Sequence, residues 1–122
     1  MKITNFSTLL ISSKADELIV LFKELGFEPL HVKEGIDSGK VTSNILQTPQ
    51  GDMISIASAP IEHDMTVIRM NVDNFAEAYS FLKKNGFRNS RGTDEIEDTG
   101  TSIAALLVSQ SGLAINVAQH IK

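Results

Sequence analysis

Seven residues, Gly51 to Ala57, come back sixty-one positions later as Gly112 to Ala118, and this internal repeat limits the fold more than any other feature of the chain. GDMISIA aligns with GLAINVA, so that Gly51 matches Gly112, Ile54 matches Ile115 and Ala57 matches Ala118. A shift of 60 places Lys23 on Lys83, Gly26 on Gly86 and Phe27 on Phe87. In a chain of 122 residues this leaves two half-size modules, each too small to bury a sufficient core alone. Packing two such modules together resolves the burial problem. The chain is therefore read as one domain, with module one at about 1–59, a connector at about 60–64 and module two at about 65–122.

Each module reads as β-α-β-β-β. Ile3 to Ile11 is a predicted strand, after which Ser12 and Ser13 offer a hydroxyl cap to a helix whose first turn holds Asp16 and Glu17. Leu18, Leu21, Phe22 and Leu25 recur with helical spacing and predict its buried face, and Gly26 predicts its left-handed end. Extended segments follow at Glu28 to Lys33, Val41 to Gln47 and Met53 to Ala57, with a surface loop between the first two and a tight turn at Thr48-Pro49-Gln50-Gly51 between the last two. In the second module Thr66 to Val72 is the first strand. Asp73 or Asn74 caps the helix that follows, Asn74 placing Glu77 at its third position, and Phe75, Ala78 and Leu82 form its buried stripe with Tyr79 alongside. Strands near Arg88 to Arg91, Ser102 to Val108 and Leu113 to Gln119 complete the repeat, the last two joined at Gln110-Ser111-Gly112.

Composition removes several function classes. A formal net charge of −4 and eleven scattered basic residues give no footprint for nucleic acid. The absence of cysteine excludes disulfides, thiolate nucleophiles and cysteine-ligated zinc. No apolar run approaches the roughly 20 residues that cross a bilayer, and the apolar stretch beside Lys2 runs straight into a helix pattern, so the protein is expected in the cytoplasm with no membrane partner.

Alternation along strands sorts the remaining residues. Ile54 and Ile56, Ile68, Met70 and Val72, and Ile115 and Val117 form helix-facing sets, as do Phe6, Thr8 and Leu10. The opposite sets are Ser7, Leu9 and Ile11; Met53, Ser55 and Ala57; Val67, Arg69 and Asn71; and Ala114, Asn116 and Ala118. Their mixture of small, polar and apolar residues suits a cavity wall, and equally a solvated or dimer-contacting sheet face.

The order of elements, with ADELIVLFKELGFEP after the first strand, TPQGDMISIA closing the first half, VDNFAEAYSFLKKNGF opening the second and SQSGLAINVA closing it, resembles the glyoxalase / bleomycin-resistance / extradiol-dioxygenase group, the vicinal oxygen chelate superfamily. The resemblance covers nearly the whole chain. It implies an α+β fold in which two tandem β-α-β-β-β modules form a curved mixed sheet around a cleft, often in a homodimer and often around a divalent metal. The family's metal ligands fall here on Ser7, Ser55, Val67 and Asn116. Two hydroxyls, an alkyl group and an amide do not grip a divalent cation, and no His or acidic residue lies within two positions of Ser7, Val67 or Asn116.

The expectation is thus a small-molecule-binding protein with no metal, no cofactor and no catalytic residue. Leu9, Met53, Val67 and Leu107 would supply apolar contact, while Ser7, Ser55, Asn71 and Asn116 would offer hydrogen bonds. Arg69, in mid-strand, needs either a protein carboxylate or an anionic ligand group. A divergent lyase, isomerase or oxygenase with a displaced metal, and a structural or regulatory module with a filled cleft, are the alternatives. The histidines His31, His63 and His120 share no metal-binding spacing; His31 is placed at the surface or at the mouth of the cleft, and the other two at the surface. No glycine-rich phosphate loop occurs, and the acidic run Asp94 to Asp98 reads as a solvated loop.

Overall fold

One ten-residue helix follows the first strand of each half, and further strands follow each helix. The structure, a computed structural model, describes the backbone of residues 1–36 and 41–121, and within these the side chains outside 31–42. The order is β1 (Ile3–Ser12), α1 (Ala15–Glu24), β2 (Glu28–Ile36), β3 (Val41–Gln47), β4 (Met53–Ser58), β5 (Met65–Val72), α2 (Phe75–Lys84), β6 (Arg88–Asn89), β7 (Glu97–Asp98), β8 (Ser102–Val108) and β9 (Ala114–His120). The fold is α+β, with tandem β-α-β-β-β modules whose strands pair in both parallel and antiparallel fashion.

Residues 7–66 form one compact unit, and residues 1–6 with 67–122 form the other. In the first, β1 runs parallel to β4 with Leu9 beside Ser55 and Ile11 beside Ala57, while β3 lies antiparallel to β4 and to β2. In the second, β5 runs parallel to β9 with Arg69 beside Asn116 and Asn71 beside Ala118, and β8 lies antiparallel to β9. The repeat seen in the residues is therefore a repeat of register: Leu9 with Ser55 and Arg69 with Asn116 occupy matching places.

Turns and helix ends repeat hydrogen bond by hydrogen bond. The Thr48 N–H donates to Asp52 O and the Ser109 N–H to Leu113 O, both at 2.9 Å. The side-chain oxygens do likewise, Thr48 Oγ1 accepting from the Asp52 N–H at 3.1 Å and Ser109 Oγ from the Leu113 N–H at 3.0 Å. At the end of α1 the Phe27 N–H donates to Phe22 O, and at the end of α2 the Phe87 N–H donates to Leu82 O, each at 3.0 Å. These bonds close Schellman motifs that need a left-handed residue, and Gly26 and Gly86 take it with φ of 107° and 92°. After α1 the motif carries its usual apolar contact, Phe27 meeting Phe22 edge to face at 5.4 Å.

The helices pack as period 3.6 demands, with one correction. Helix α2 buries Phe75, Ala78 and Leu82 against Met70, Val72, Ala105, Leu107 and Val117. Helix α1 turns Ala15, Leu18, Ile19 and Phe22 toward Leu46, Ile54 and Ile56. Leu21 and Leu25, expected on the buried face, are 47% and 63% exposed. Two stripes of this apolar helix fit the same spacing. The helix starts at Ala15 and ends before Leu25, so the stripe through Ala15 is the buried one. Phe6 is also exposed, at 62%, rather than core.

The caps divide the same way. Asn74 caps α2, its Oδ1 accepting the Glu77 N–H at 3.1 Å. Glu77 does not reach back to complete a capping box; its carboxylate accepts from the Met1 amine at 2.7 Å. Lys14 stands at the N-cap of α1 and makes no side-chain cap bond. Ser12, expected as that cap, is fully buried; its hydroxyl accepts the Lys14 N–H at 2.9 Å and donates to Asp64 Oδ1 at 2.7 Å, fastening the connector to the end of β1.

Candidate functional site

Helices cover one face of each unit's strands, so the candidate residues are judged on the other. In the 67–122 unit, Met70 and Val72 of β5 pack under α2, and alternation sends Val67, Arg69 and Asn71 to the opposite face. Asn116 joins them from β9, beside Arg69. In the 7–66 unit Ile54 and Ile56 pack under α1, leaving Met53 and Ser55 on the opposite face with Leu9 beside Ser55. Ser7 lies two residues before Leu9 and shares its face.

Leu107 is a correction. It is fully buried in the core beneath α2, in contact with the cluster of Phe75, Ala78 and Leu82, and so faces away from Arg69. Leu106 takes its place, opposite Asn116 in the β8–β9 ladder. The signal lies in the hairpin: counting outward from its turn pairs Val108 with Ala114 and Leu106 with Asn116.

The face opposite the helices is not a solvated one. Val67, Ala114 and Ala118 in one unit, and Leu9, Ser55 and Ala57 in the other, are all less than a tenth exposed. Ser43, beside Ala57 in the β3–β4 ladder and absent from the sequence-based candidates, is also buried, and its hydroxyl has no hydrogen-bond partner. Ser7, Met53, Arg69, Asn71 and Asn116 are half-buried.

Arg69 and Asn71 set the electrostatics of the 67–122 unit's face. Among the described residues the Arg69 guanidinium has no ion-pair partner, and burial alone pushes its pKa below the ordinary arginine value. It stays protonated nonetheless, because the ordinary value lies so far above neutrality. Asn71, two residues along on the same face, has its Oδ1 buried and without a partner. An orphaned buried polar atom costs about 1–3 kcal/mol, and an unpaired buried charge more. Both costs are removed by a molecule that brings an anion to the arginine and a donor to the amide.

The second polar cluster lies elsewhere. The Tyr79 hydroxyl and Lys83 Nζ both donate to Asp94 Oδ1, at 2.7 and 2.6 Å, and hold its carboxyl below the ordinary aspartate range, Lys83 contributing most. Asn89, buried nearby, donates to Glu95 O at 2.7 Å. Arg91 meets Glu97 at 2.9 Å, and Glu97–Asp98 pairs with β8. The acidic run is thus stapled to α2 and to a strand rather than forming a free loop.

The histidines bring no chemistry together. His63 and His120 are exposed, and the His31 side chain lies outside the described residues, as does part of the loop from Glu34 to Lys40. The positions matching the family's metal ligands supply Ser7 and Ser55 hydroxyls in one unit and Val67 and Asn116 in the other. Among the described residues no three His, Cys, Asp or Glu side chains gather, so this donor set does not fit a divalent cation. No described helix is long and apolar enough to cross a membrane.

No protein-family model matches the sequence, and no curated protein matches it. Solved structures do match. Methylmalonyl-CoA epimerase from Mycobacterium tuberculosis superposes with a TM-score of 0.73 at 13% identity, over 98% of this chain and 90% of that one. A glyoxalase/bleomycin resistance protein/dioxygenase superfamily member from Vibrio splendidus 12B01 gives 0.64 at 12% identity, over 97% and 99%. Glyoxalase I from Zea mays gives 0.69 at 14% identity over 97% of this chain but 43% of its own. The chain carries the fold of the glyoxalase/bleomycin-resistance/dioxygenase superfamily, as the sequence resemblance implies.

Proposed function

We propose that the protein binds a small anionic molecule, without a metal, on the non-helix face of the 67–122 unit. Arg69 anchors the anion, Asn71 and Asn116 orient it, and Val67 and Leu106 contact its apolar part. One observation carries this reading: a half-buried guanidinium that no described carboxylate neutralises, on the same face as a buried amide oxygen with no partner. Protein interiors rarely leave such groups uncompensated unless something else meets them.

The superfamily fold is compatible with this use, because Ser, Val and Asn stand where a metal-dependent member would need imidazole or carboxylate. Binding alone requires no tuned acid or base. The partner that accompanies the reading is a second copy of the chain; light scattering at micromolar concentration measures that assembly.

Isothermal calorimetry of the wild type and Arg69→Met against small anions and their neutral counterparts tests the proposal. Saturable binding of an anion that disappears in Arg69→Met is the expected result. Binding of neutral molecules alone, or binding indifferent to Arg69, refutes it.

A further inference from the structure

We infer that the anion is a monocarboxylate bearing a hydroxyl one or two carbons from the carboxyl group, an inference that rests on the anion-binding reading above. Charge comes first. Between Val67 and Asn71 on β5, Ala104 and Val108 on β8, and Ala114 and Ala118 on β9, Arg69 is the one charged residue. Arg88 pairs with Val108 and Glu97 with Ala104, so both share this side of the sheet, but each lies three strand spacings from β5, roughly 14 Å away, and Glu97 is paired with Arg91. A single half-buried positive charge neutralises a monoanion. A phosphate monoester, close to doubly charged at neutral pH, would leave a net negative charge among buried alanines, where desolvation works against it.

Geometry gives the carboxylate. The planar fork of a guanidinium matches a planar carboxylate through two parallel hydrogen bonds. The hydroxyl follows from Asn71. Its buried Oδ1 is an acceptor, and the oxygens of an anion are acceptors too, so they leave it unsatisfied. A donor on the ligand itself meets it, and because Arg69 and Asn71 share one face with Cα atoms about 6.6 Å apart along the strand, a donor carried near the carboxyl group is the one within reach. The face also carries Leu106, Ala104, Ala114 and Ala118, apolar side chains of the kind that contact an apolar body.

Three probes with a common aryl body separate these claims: mandelate, a 2-hydroxycarboxylate; phenylacetate, the same acid without the hydroxyl; and phenyl phosphate. Calorimetry on the full chain at neutral pH is expected to show mandelate binding about tenfold tighter than phenylacetate, with phenyl phosphate weaker than both. Arg69→Lys weakens both acids by about tenfold or more, because the ammonium loses the fork. Asn71→Leu brings the mandelate-to-phenylacetate affinity ratio down toward one; should that variant fail to fold, the wild-type ratio decides alone. Phenyl phosphate binding tightest overturns the inference and leaves the anion-binding reading standing. Mandelate no tighter than phenylacetate does the same, as would follow if the Asn71 amide is turned to present its nitrogen. No saturable binding of any of the three at millimolar concentration, with Arg69→Met clearly less stable than wild type, overturns both, because the guanidinium then serves the fold.

Discussion

Replacing Leu107 by alanine separates a core residue from a ligand contact, and the structure gives the size of the effect. The side chain is fully buried beneath α2, among Phe75, Leu82 and Val117. The substitution removes three carbons, worth about 2.4 kcal/mol at roughly 0.8 kcal/mol per buried methylene. A cavity that fails to collapse adds up to about 2 kcal/mol, so a total of about 2.5–4.5 kcal/mol is expected. Urea denaturation followed by circular dichroism reads this as a lower midpoint at unchanged slope. Leu106→Ala, one residue away on the half-buried opposite face, is the control; it should cost about 1–2 kcal/mol and weaken ligand binding, which Leu107→Ala should not do beyond its effect on stability. A loss below about 1 kcal/mol for Leu107→Ala, or a larger loss for Leu106→Ala, would show that the two faces of β8 have been exchanged and would refute the reasoning.

The same logic distinguishes the stripes of α1. Phe22→Ala, removing a half-buried ring that packs on Phe27, should cost about 1.5–3 kcal/mol by urea midpoint, while exposed Leu21→Ala should fall within about 0.5 kcal/mol of wild type. Asn74→Ala should cost about 1 kcal/mol by the same measurement, because the Glu77 N–H loses its acceptor. The Asp94 staple predicts a pH dependence whose sign follows from its depressed pKa. Its contribution is present at neutral pH, above the unfolded value of about 4, and is lost as pH falls through the folded value. The stability difference between wild type and Asp94→Asn should therefore close on acidification, and a difference that persists below pH of about 2 would contradict the staple. Protein dialysed and resupplied with zinc, nickel, manganese or iron should retain no stoichiometric metal by elemental analysis, since among the described residues no three His, Cys, Asp or Glu side chains gather.

Most of the fold was legible because its signals are local. Gly26 with Phe27 and Gly86 with Phe87 announce two Schellman ends, and the glycines at 51 and 112 announce two matching turns. Periodicity then gave the strands, with β3 and β8 correct to the residue. What failed was choice among equal patterns. LIVLF in α1 offers two stripes of the same spacing, and only the tertiary start of the helix at Ala15 selects one. Ser12 satisfies every local rule for a cap yet is taken by Asp64, a partner 52 residues away that local rules do not see. The short strand β7 was hidden in an acidic run with no β-propensity and exists through its pairing with Ile103 and Ala104. At the candidate site, alternation placed Arg69, Asn71 and Asn116 on one face, but the lack of a carboxylate beside Arg69 is a fact of three dimensions.

The two units also explain why one face, and not both, is charged. Matching registers set Leu9, Ile11 and Ser55 of one against Arg69, Asn71 and Asn116 of the other. The turns and helix ends of the two units match down to individual hydrogen bonds, while at these three places an apolar or small side chain in one unit corresponds to a cation or an amide in the other. Apolar residues at the matching positions show that the fold itself does not require polarity there, since Leu9 and Ile11 satisfy the same strand and the same register. A polar set that the architecture does not need, left partly unsatisfied at a cost in stability, is what a binding function would retain. Exchanging the two sets makes the argument testable: Arg69→Leu combined with Asn71→Ile copies the first unit's face onto the second. That double variant should be at least as stable as wild type in urea and should bind no anion; a loss of stability above about 2 kcal/mol would mean that the charge serves the fold.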